Sequence, residues 1–582
     1  MLRPVDERAR ERMMRLEQRN ARRRAAGKPT YDLDEWWPVS ARPSEAETMI
    51  LEPGSVILEP PARERSGSGV ARNTAIFGIA TGLSRVLGLV REIVAAYYFG
   101  SAGRINSFTV AFQIPNLVRA LVADAALSSA FVPVFSELLE KGERKRAWRV
   151  ASTLFWLMLL GLGALTALFI LVAPVLIRPF HADDPQLTAG LARVLFPIVA
   201  LLGVSGIVVG ILNSYDHFTV PALSPVFWNV AIVIGLVLGV PRAHGINDKL
   251  YVYAASILVA TFIQVFLPMP WLRGRDGRLQ LVLDWRDPAV ARVFKLMVPV
   301  TLGLGLINVN AVIDTFFASR YINPHLAPNA ISRAFLLYML PQGMFSVAVA
   351  TVLFPSLARA AARGDMDEFR GTVSRGLRQI AFLLVPAAVV SAVLAEPIVR
   401  LLYQHGKFTS AQTPVVAGAL AAFSAGLVFN GAMLMLNRAF FSLQSNWIPT
   451  VVALGNLALN AILDAVFYHL GVWGIPLSTA VCNLAGVVAL LVFFRRRLGR
   501  IDGGRIASTV MRVVIAGAAV AAVSWFVWHP LDQALGRSLP AQVVSLGAAL
   551  IAAGAAYGIA CSALRVRELQ ALLSLRSRAA RG

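Results

Sequence analysis

A chain of 582 residues that is 57% hydrophobic and only 15% charged carries too little charge to be a soluble protein of its size. Its formal charge of +22 falls mostly between long apolar runs. With no nucleic-acid-binding motif beside them, these cations read as topology determinants and contacts for anionic lipid heads, so the class is a polytopic helical membrane protein. Enzymatic chemistry finds no support. There is no GxxxxGK[ST] phosphate loop for ATP, and no Ser/His/Asp or Cys/His constellation can be assembled. Cys482 and Cys561 lie far apart in apolar runs, and the seven histidines are scattered singly, so neither a disulfide framework nor a metal cluster follows from spacing.

Residues 1–72 read as a cytoplasmic, disordered extension, basic and helix-prone at 8–24 and then rich in Pro, Glu and Ser. A partner or anionic lipid can be reached through its basic segment. The long polar start predicts no cleavable signal peptide. From residue 73 fourteen apolar spans follow, at about 74–99, 107–136, 149–178, 187–212, 222–240, 251–271, 291–318, 331–356, 376–402, 412–441, 449–468, 472–494, 507–528 and 540–563. Basic clusters follow spans two, six, eight, twelve and fourteen, including Lys141 to Arg149, Arg273 to Arg292, Arg359 to Arg378, Arg495 to Arg505, and Arg565 to Arg581. The opposite loops are poor in Lys and Arg, and one carries Asp183 and Asp184. The positive-inside rule then places both termini in the cytoplasm, which requires an even number of spans.

An internal repeat organises the spans. Pro133 to Gly142 and Pro355 to Gly364 share their spacing, each a proline followed by a charged turn, and Leu212-Asn213 matches Leu436-Asn437. Spans one to six therefore recur as seven to twelve, giving two like-oriented lobes with a cavity at their interface. The expected domains are an N-terminal lobe over 73–285, a C-terminal lobe over 286–500, and spans thirteen and fourteen with a basic cytoplasmic tail over 501–582.

The chemistry concentrates in the first two spans. Arg85, Arg91 and Glu92 sit near the middle of span one, and Arg119 and Asp124 in span two. An arginine at mid-bilayer costs about 2.5–3.5 kcal/mol by insertion scales, so it needs a function or a partner. Arg85 and Arg91 are about 120° apart around a helix and line a broad wall rather than one stripe. Internal pairing with Glu92 and Asp124 is one reading. The excess of positive groups favours a wet cavity for an anion, because the guanidinium fork suits diphosphate oxygens and cannot be titrated away. Span seven carries Asn308, Asn310 and Asp314; span eleven carries Asn460 and Asp464 on one face; span twelve opens with Ser478 and Thr479. These oxygens suit a hard cation or a proton, and equally serve as helix–helix hydrogen bonds. Pro115, Pro133, Pro341 and Pro355 are expected to kink their helices.

The segments SRVLGLVREIVAAYYFG and FQIPNLVRALVADAALSSAFVPVF, with LYQHGKFT at 402–409, resemble the MurJ (MviN) family of lipid II flippases, within the multidrug/oligosaccharidyl-lipid/polysaccharide exporter superfamily. The resemblance runs from about residue 73 to the end. It implies an all-α fold of 14 transmembrane helices in two pseudo-symmetric six-helix lobes plus two C-terminal helices, working by alternating access in the bacterial cytoplasmic membrane. It implies lipid II as substrate, moved from the inner to the outer leaflet, with no organic cofactor. The family's cavity arginines fall on Arg85, Arg91 and Arg119, supported by Ser84, Glu92 and Asp124. A sodium ion is implied at Asp314, Asn460, Asp464 and Thr479, and a groove for the polyprenyl tail at helices thirteen and fourteen. Two positions depart from the pattern. The helix-eight arginine falls near Leu336, with Arg333 the nearest substitute, and an aspartate before helix two is Asn106. The alternatives are a flippase for another polyprenyl-diphosphate glycan, a related exporter of the superfamily, or a non-transporting scaffold that recruits cell-wall proteins through its tail.

Overall fold

The computed structural model describes residues 67–122, 125–445 and 447–570, and every regular element among them is helical. That is the outcome bilayer physics dictates, since a lipid-exposed backbone must satisfy its own N–H and C=O groups. The first half contains α1 (Gly67–Phe99), α2 (Ile105–Val122), α3 (Ala125–Glu140), α4 (Arg144–Ile177), α5 (Pro185–Leu195), α6 (Pro197–Ser214), α7 (Thr219–Gly239) and α8 (Ile246–Phe266). The second contains α9 (Pro288–Phe317), α10 (Ala327–Pro341), α11 (Val347–Ala362), α12 (Met366–Val393), α13 (Ala395–Tyr403), α14 (Thr413–Ala425), α15 (Leu427–Ser442), α16 (Trp447–Phe467) and α17 (Gly474–Leu498). A hairpin of α18 (Gly503–Leu535) and α19 (Leu539–Ala563) closes the chain. Among the described residues ten helical stretches are long and apolar enough to cross a bilayer, and α14 with α15, bent by 43°, makes an eleventh.

Several expectations are revised. The helix that holds the first expected span, 74–99, already runs from Gly67, the first described residue. The ninth expected span, 376–402, starts ten residues earlier at Met366 and breaks at Leu394. Behind Pro341 the chain widens into a π-turn over Gln342–Ser346 before α11 resumes, because proline has no N–H to continue the α-helical ladder. The basic segment 8–24, Asp124 and the arginines Arg576, Arg578 and Arg581 lie outside the described residues.

Connections alternate between two ends of the bundle. At one end Gly103 N–H donates to His325 O (2.6 Å), Lys407 N–H to Tyr97 O (2.8 Å) and Arg104 to Asn247 (2.7 Å), joining four loops. At the other, Arg144 pairs with Asp276 (2.8 Å) and Arg370 donates to Leu498 O (2.9 Å). The two turns read as a repeat have the same backbone. Gly142 and Gly364 adopt φ of +77° and +69°. Glu143 N–H bonds back to Leu138 O and Asp365 N–H to Ala360 O, both at 3.0 Å. This is the glycine-terminated helix end that pairs carbonyls the last turn would otherwise leave orphaned, made twice by two Pro-to-Gly segments.

The core divides as the chain does. One cluster joins α10 to α17 around Phe369, Tyr403, Phe423 and Phe440; two others centre on the first half, around Phe196 and Ile232 and around Phe131 and Trp148, the latter also taking in Val290 and Val293 of α9. Helix α1 belongs to both halves, for Ala95 enters a first-half cluster and Ala96 the second-half one. Helix α9 packs on α2 and α3 on one side and on α16 on the other. The α18–α19 hairpin rests on α12 and leaves Phe526, Ile551 and Ile559 exposed on its outer face, as a lipid-facing surface requires.

Candidate substrate site and carboxylate cluster

The α1 cations point in different directions, as their angular offset requires. Arg91 forks onto its neighbour Glu92 (Nη2 to Oε1, 2.8 Å; Nε, 3.2 Å) and donates through Nη1 to Asn229 Oδ1 on α7 (3.3 Å). Its guanidinium carbon lies 4.9 Å from the Trp228 ring centre, a cation–π contact. Asn229 Nδ2 in turn donates to Ser84 O (3.3 Å) and Pro225 O (2.9 Å), which locks α1 to α7. Arg91 thus has the internal partner that composition allowed, yet both it and Glu92 keep partial exposure, 16% and 21% of their side chains. Arg85 reaches across to the second half. Its guanidinium lies against the backbone of Gly343 in the π-turn, where an added Cβ would stand 2.7 Å from the guanidinium carbon. Only glycine leaves room for it there.

Arg119, near the end of α2, folds back onto Asn116 Oδ1 through Nε (3.1 Å) and Nη2 (2.8 Å) and is partly exposed. Helix α2 packs on both α9 and α10, so Arg119 and Arg85 each sit on a helix that meets the second half.

Arg333 is placed differently from the other three. It is 2% exposed and fully engaged: Nε donates to Asn329 Oδ1 (2.7 Å), Nη1 to Glu92 O (3.0 Å), Nη2 to Gly100 O (2.9 Å), and its plane lies 5.2 Å from the Tyr403 ring. The carboxylate of Glu92 stands farther off, with Oε2 3.9 Å from Nη1. That is the geometry of a tie between α10 and the end of α1. Asn106 belongs to the same tie. Its Nδ2 donates to Ser101 O, Gly103 O and His325 O (3.1, 3.0 and 2.6 Å), and its Oδ1 accepts from Asn329 N–H (2.8 Å). Ser101 adds bonds to Gln412 Oε1 (2.7 Å) and Asn329 Oδ1 (2.8 Å). The halves are latched at this end by a continuous polar network.

A second cluster lies where α9, α16 and α17 meet. Asn460 Nδ2 donates to Asp314 Oδ1 (2.8 Å) and to Asp464 Oδ2 (3.1 Å); Asn310 leans on Asp314 (3.4 Å); Ser478 Oγ bonds Asp464. Asp464 and Asn460 are buried. The expected residues Asp314, Asn460 and Asp464 converge, but the hydroxyl that joins them is that of Ser478. The Thr479 hydroxyl turns to its own backbone at Ile475 O (3.3 Å). Two carboxylates and a hydroxyl gather around a carboxamide whose N–H₂ faces both acids, an arrangement that fits a proton or, with the amide turned, a hard monovalent cation. No group of three His, Cys, Asp or Glu suited to a metal occurs among the described residues.

Asn229, Trp228 and Asn329 escaped the sequence reading. Asn229 had a signal, a single amide inside the apolar run PVFWNVAIV. Asn329 has Arg333 one turn away, but its other partners are more than 200 residues distant.

A multi-pass helical bundle whose halves meet across membrane-embedded guanidiniums, with a separate acidic cluster, defines a membrane carrier for an anionic substrate. Residues 95–541 match the family model described as Lipid II flippase MurJ. A probable lipid II flippase MurJ of Rhizobium meliloti (strain 1021) is 31% identical over 504 residues, covering 84% of this chain and 92% of that one. The chain belongs to the lipid II flippase MurJ family, a family of transporters rather than enzymes. Its fold matches that of a solved lipid II flippase MurJ in an inward closed conformation, with TM-score 0.70, 24% identity and coverage of 84% and 99%. An inward-facing multidrug transporter of the MATE family has the same general fold, with TM-score 0.57, 15% identity and coverage of 74% and 95%.

Proposed function

We propose that this chain carries lipid II from the cytoplasmic to the outer leaflet of the bacterial inner membrane by alternating access between two lobes. The observation that carries the reading is the placement of Arg85, which extends from α1 onto the glycine of a π-turn in the second half. Arg85 is exposed at this seam, and a bare cation on a membrane-spanning helix is worth its place only if an anion visits it. Arg85, Arg91 and Arg119 are the diphosphate contacts, with Ser84 and Asn229 holding Arg91 in register. Arginine stays charged at any working pH, so release comes from movement of the lobes and not from deprotonation. Arg333, Asn106 and Asn329 form the latch that must open on the outer side to let the head group out.

Fourteen spans fit the chain: the eleven apolar stretches, α1, the α2–α3 pair and α9. The matched glycine turns support two six-helix lobes in one orientation, and the basic loops support cytoplasmic termini. The α18–α19 hairpin, apolar on its outer face, suits the prenyl tail. At the acidic cluster, Asp314 and Asp464 share Asn460 as donor; two such carboxylates cannot both stay charged without a proton or sodium ion between them. Coupling follows, since moving one charge through 100 mV supplies about 2.3 kcal/mol. Ser478 stands closer to this site than Thr479.

Complementation of a lipid II flippase depletion strain, read with a leaflet-specific lipid II assay, tests the proposal. Wild type restores outer-leaflet lipid II, while Arg85→Ala and Arg119→Ala do not. Rescue by both variants, together with loss of rescue on deleting residues 1–72, would favour the scaffold reading.

A further inference from the structure

At the cation-rich end, away from the substrate site, the first turns of α18, the chain beyond α19 and Arg378 of α12 border an open pocket of about 170 Å³, in which Arg505, Arg512 and Arg567 are exposed. Its wall carries Arg378, Arg505, Arg512 and Arg567, with the hydroxyls of Ser508 and Thr509. Two of the cations have carboxylate partners: Arg378 with Glu568 and Arg505 with Asp502, both at 3.0 Å. Arg512 donates only to a backbone carbonyl, that of Arg565 (3.3 Å), and Arg567 has no polar partner among the described residues. Four guanidiniums against two carboxylates leave an excess of two positive charges around one cavity.

Three further features define what fits. The first backbone bond into α18 is Ile506 N–H to Asp502 O, so the amides of Gly504 and Arg505 precede the helical ladder and present the positive end of a 33-residue helix. That helix is about 50 Å long at 1.5 Å per residue, against a hydrocarbon core of about 30 Å, so its first turns lie at headgroup depth. Beneath the arginines, Val513 and Val566 join Phe382 and Val385 in a buried apolar cluster. Cationic rim, hydroxyls and apolar floor follow one another in the order of a lipid's phosphate and acyl region.

We propose that this cavity is a phosphate-binding site for an anionic phospholipid headgroup, held by Arg512 and Arg567 with Ser508 and Thr509, and independent of the transported substrate. The occupant's phosphate takes two arginines left without acid partners, while Arg378 and Arg505 set the field. The site ties the α18–α19 hairpin to the lipid composition of the cytoplasmic leaflet.

Native mass spectrometry of the purified full-length protein, titrated separately with phosphatidylglycerol, phosphatidylcholine and inorganic phosphate, tests the assignment. Wild type is expected to retain phosphatidylglycerol in preference to phosphatidylcholine. Arg512→Gln combined with Arg567→Gln is expected to weaken that retention by about a hundredfold or more, the value of losing two charge-assisted bonds. Arg567→Gln alone, which removes a group with no protein partner, gives a smaller loss in the same direction and guards against misfolding of the double variant. Displacement of the lipid by millimolar inorganic phosphate would keep the phosphate site and assign it a soluble occupant. Equal retention of the two lipids by wild type, or equal retention of phosphatidylglycerol by wild type and both variants, would overturn it.

Discussion

Arg333→Lys separates the latch from the substrate site. The side chain is 2% exposed and makes three hydrogen bonds of 2.7, 3.0 and 2.9 Å as a planar fork, with Tyr403 against its face. An ammonium keeps the charge but cannot meet Asn329 Oδ1, Glu92 O and Gly100 O together, nor stack on the ring. Gly100 lies just beyond α1 and its carbonyl has no helical partner to fall back on, so its loss is uncompensated. Breaking a buried charged contact of this kind costs about 3–5 kcal/mol. With unfolding entropy of about 2 cal/mol/K per residue over roughly 500 residues, that lowers the melting temperature by about 3–5 °C. The assay is the thermal unfolding of purified protein, run beside Arg85→Ala, which leaves no buried group unpaired and is expected to melt like wild type. An Arg333→Lys protein that melts like wild type but fails in transport as Arg85→Ala does would show that Arg333 serves the substrate, and the latch argument would fail.

Other perturbations have defined outcomes. Gly343→Ala places a methyl group against the Arg85 guanidinium, 2.7 Å from its carbon and closer still to Nη1, against an ordinary contact of about 3.5–4.0 Å, so the guanidinium must move by about 1.5–2 Å. Because the displaced group is the flexible end of a side chain, the melting temperature should hold or rise while outer-leaflet lipid II falls; unchanged transport would contradict the placement. Sodium is expected to raise the melting temperature of wild type, and Asp464→Asn, which removes one of two adjacent carboxylates, should abolish that rise without loss of stability in sodium-free buffer. Sodium stabilising the variant equally would exclude the cluster as the cation site. Asp287 caps α9 through Ala289 N–H (2.8 Å) and accepts both arms of Arg146 (3.0 Å each). The Arg146 fork holds its carboxyl below the usual carboxylate range. A depressed native pKa contributes stability that is full above the unfolded value of about 3.9 and is lost as pH falls through the native value. Asp287→Asn should therefore lower the melting temperature at pH 7 and converge on wild type in strong acid; a difference that persists there would refute the pairing.

Features set by local spacing were legible in the sequence. The spans follow from runs of apolar residues, and the repeated turn from Pro-to-Gly spacing that recurs as the same φ and hydrogen bonds at Gly142 and Gly364. The convergence of Asp314, Asn460 and Asp464 followed from polar groups on apolar helices, which must find one another. Direction was harder to read. Ser478 and Thr479 differ by one position, about 100° on a helix, and only packing against α16 decides which hydroxyl turns inward. Arg333 looked like a substitute for a cavity cation because it stands one turn from Leu336. Its carbonyl partners lie 233 and 241 residues away, so no local pattern announces the latch. The bend between α14 and α15 at Gly426 likewise has no proline to signal it.

The proposed transport requires guanidiniums of α1 and α2 to receive a diphosphate. Equilibrium binding of lipid II to purified wild type and to the Arg85→Gln, Arg119→Gln double variant addresses this directly. Two charge-assisted bonds at about 1.5–3 kcal/mol each predict a dissociation constant raised by at least about a hundredfold, with the fold intact. An unchanged affinity would mean that the substrate passes elsewhere and that these arginines only hold helices together.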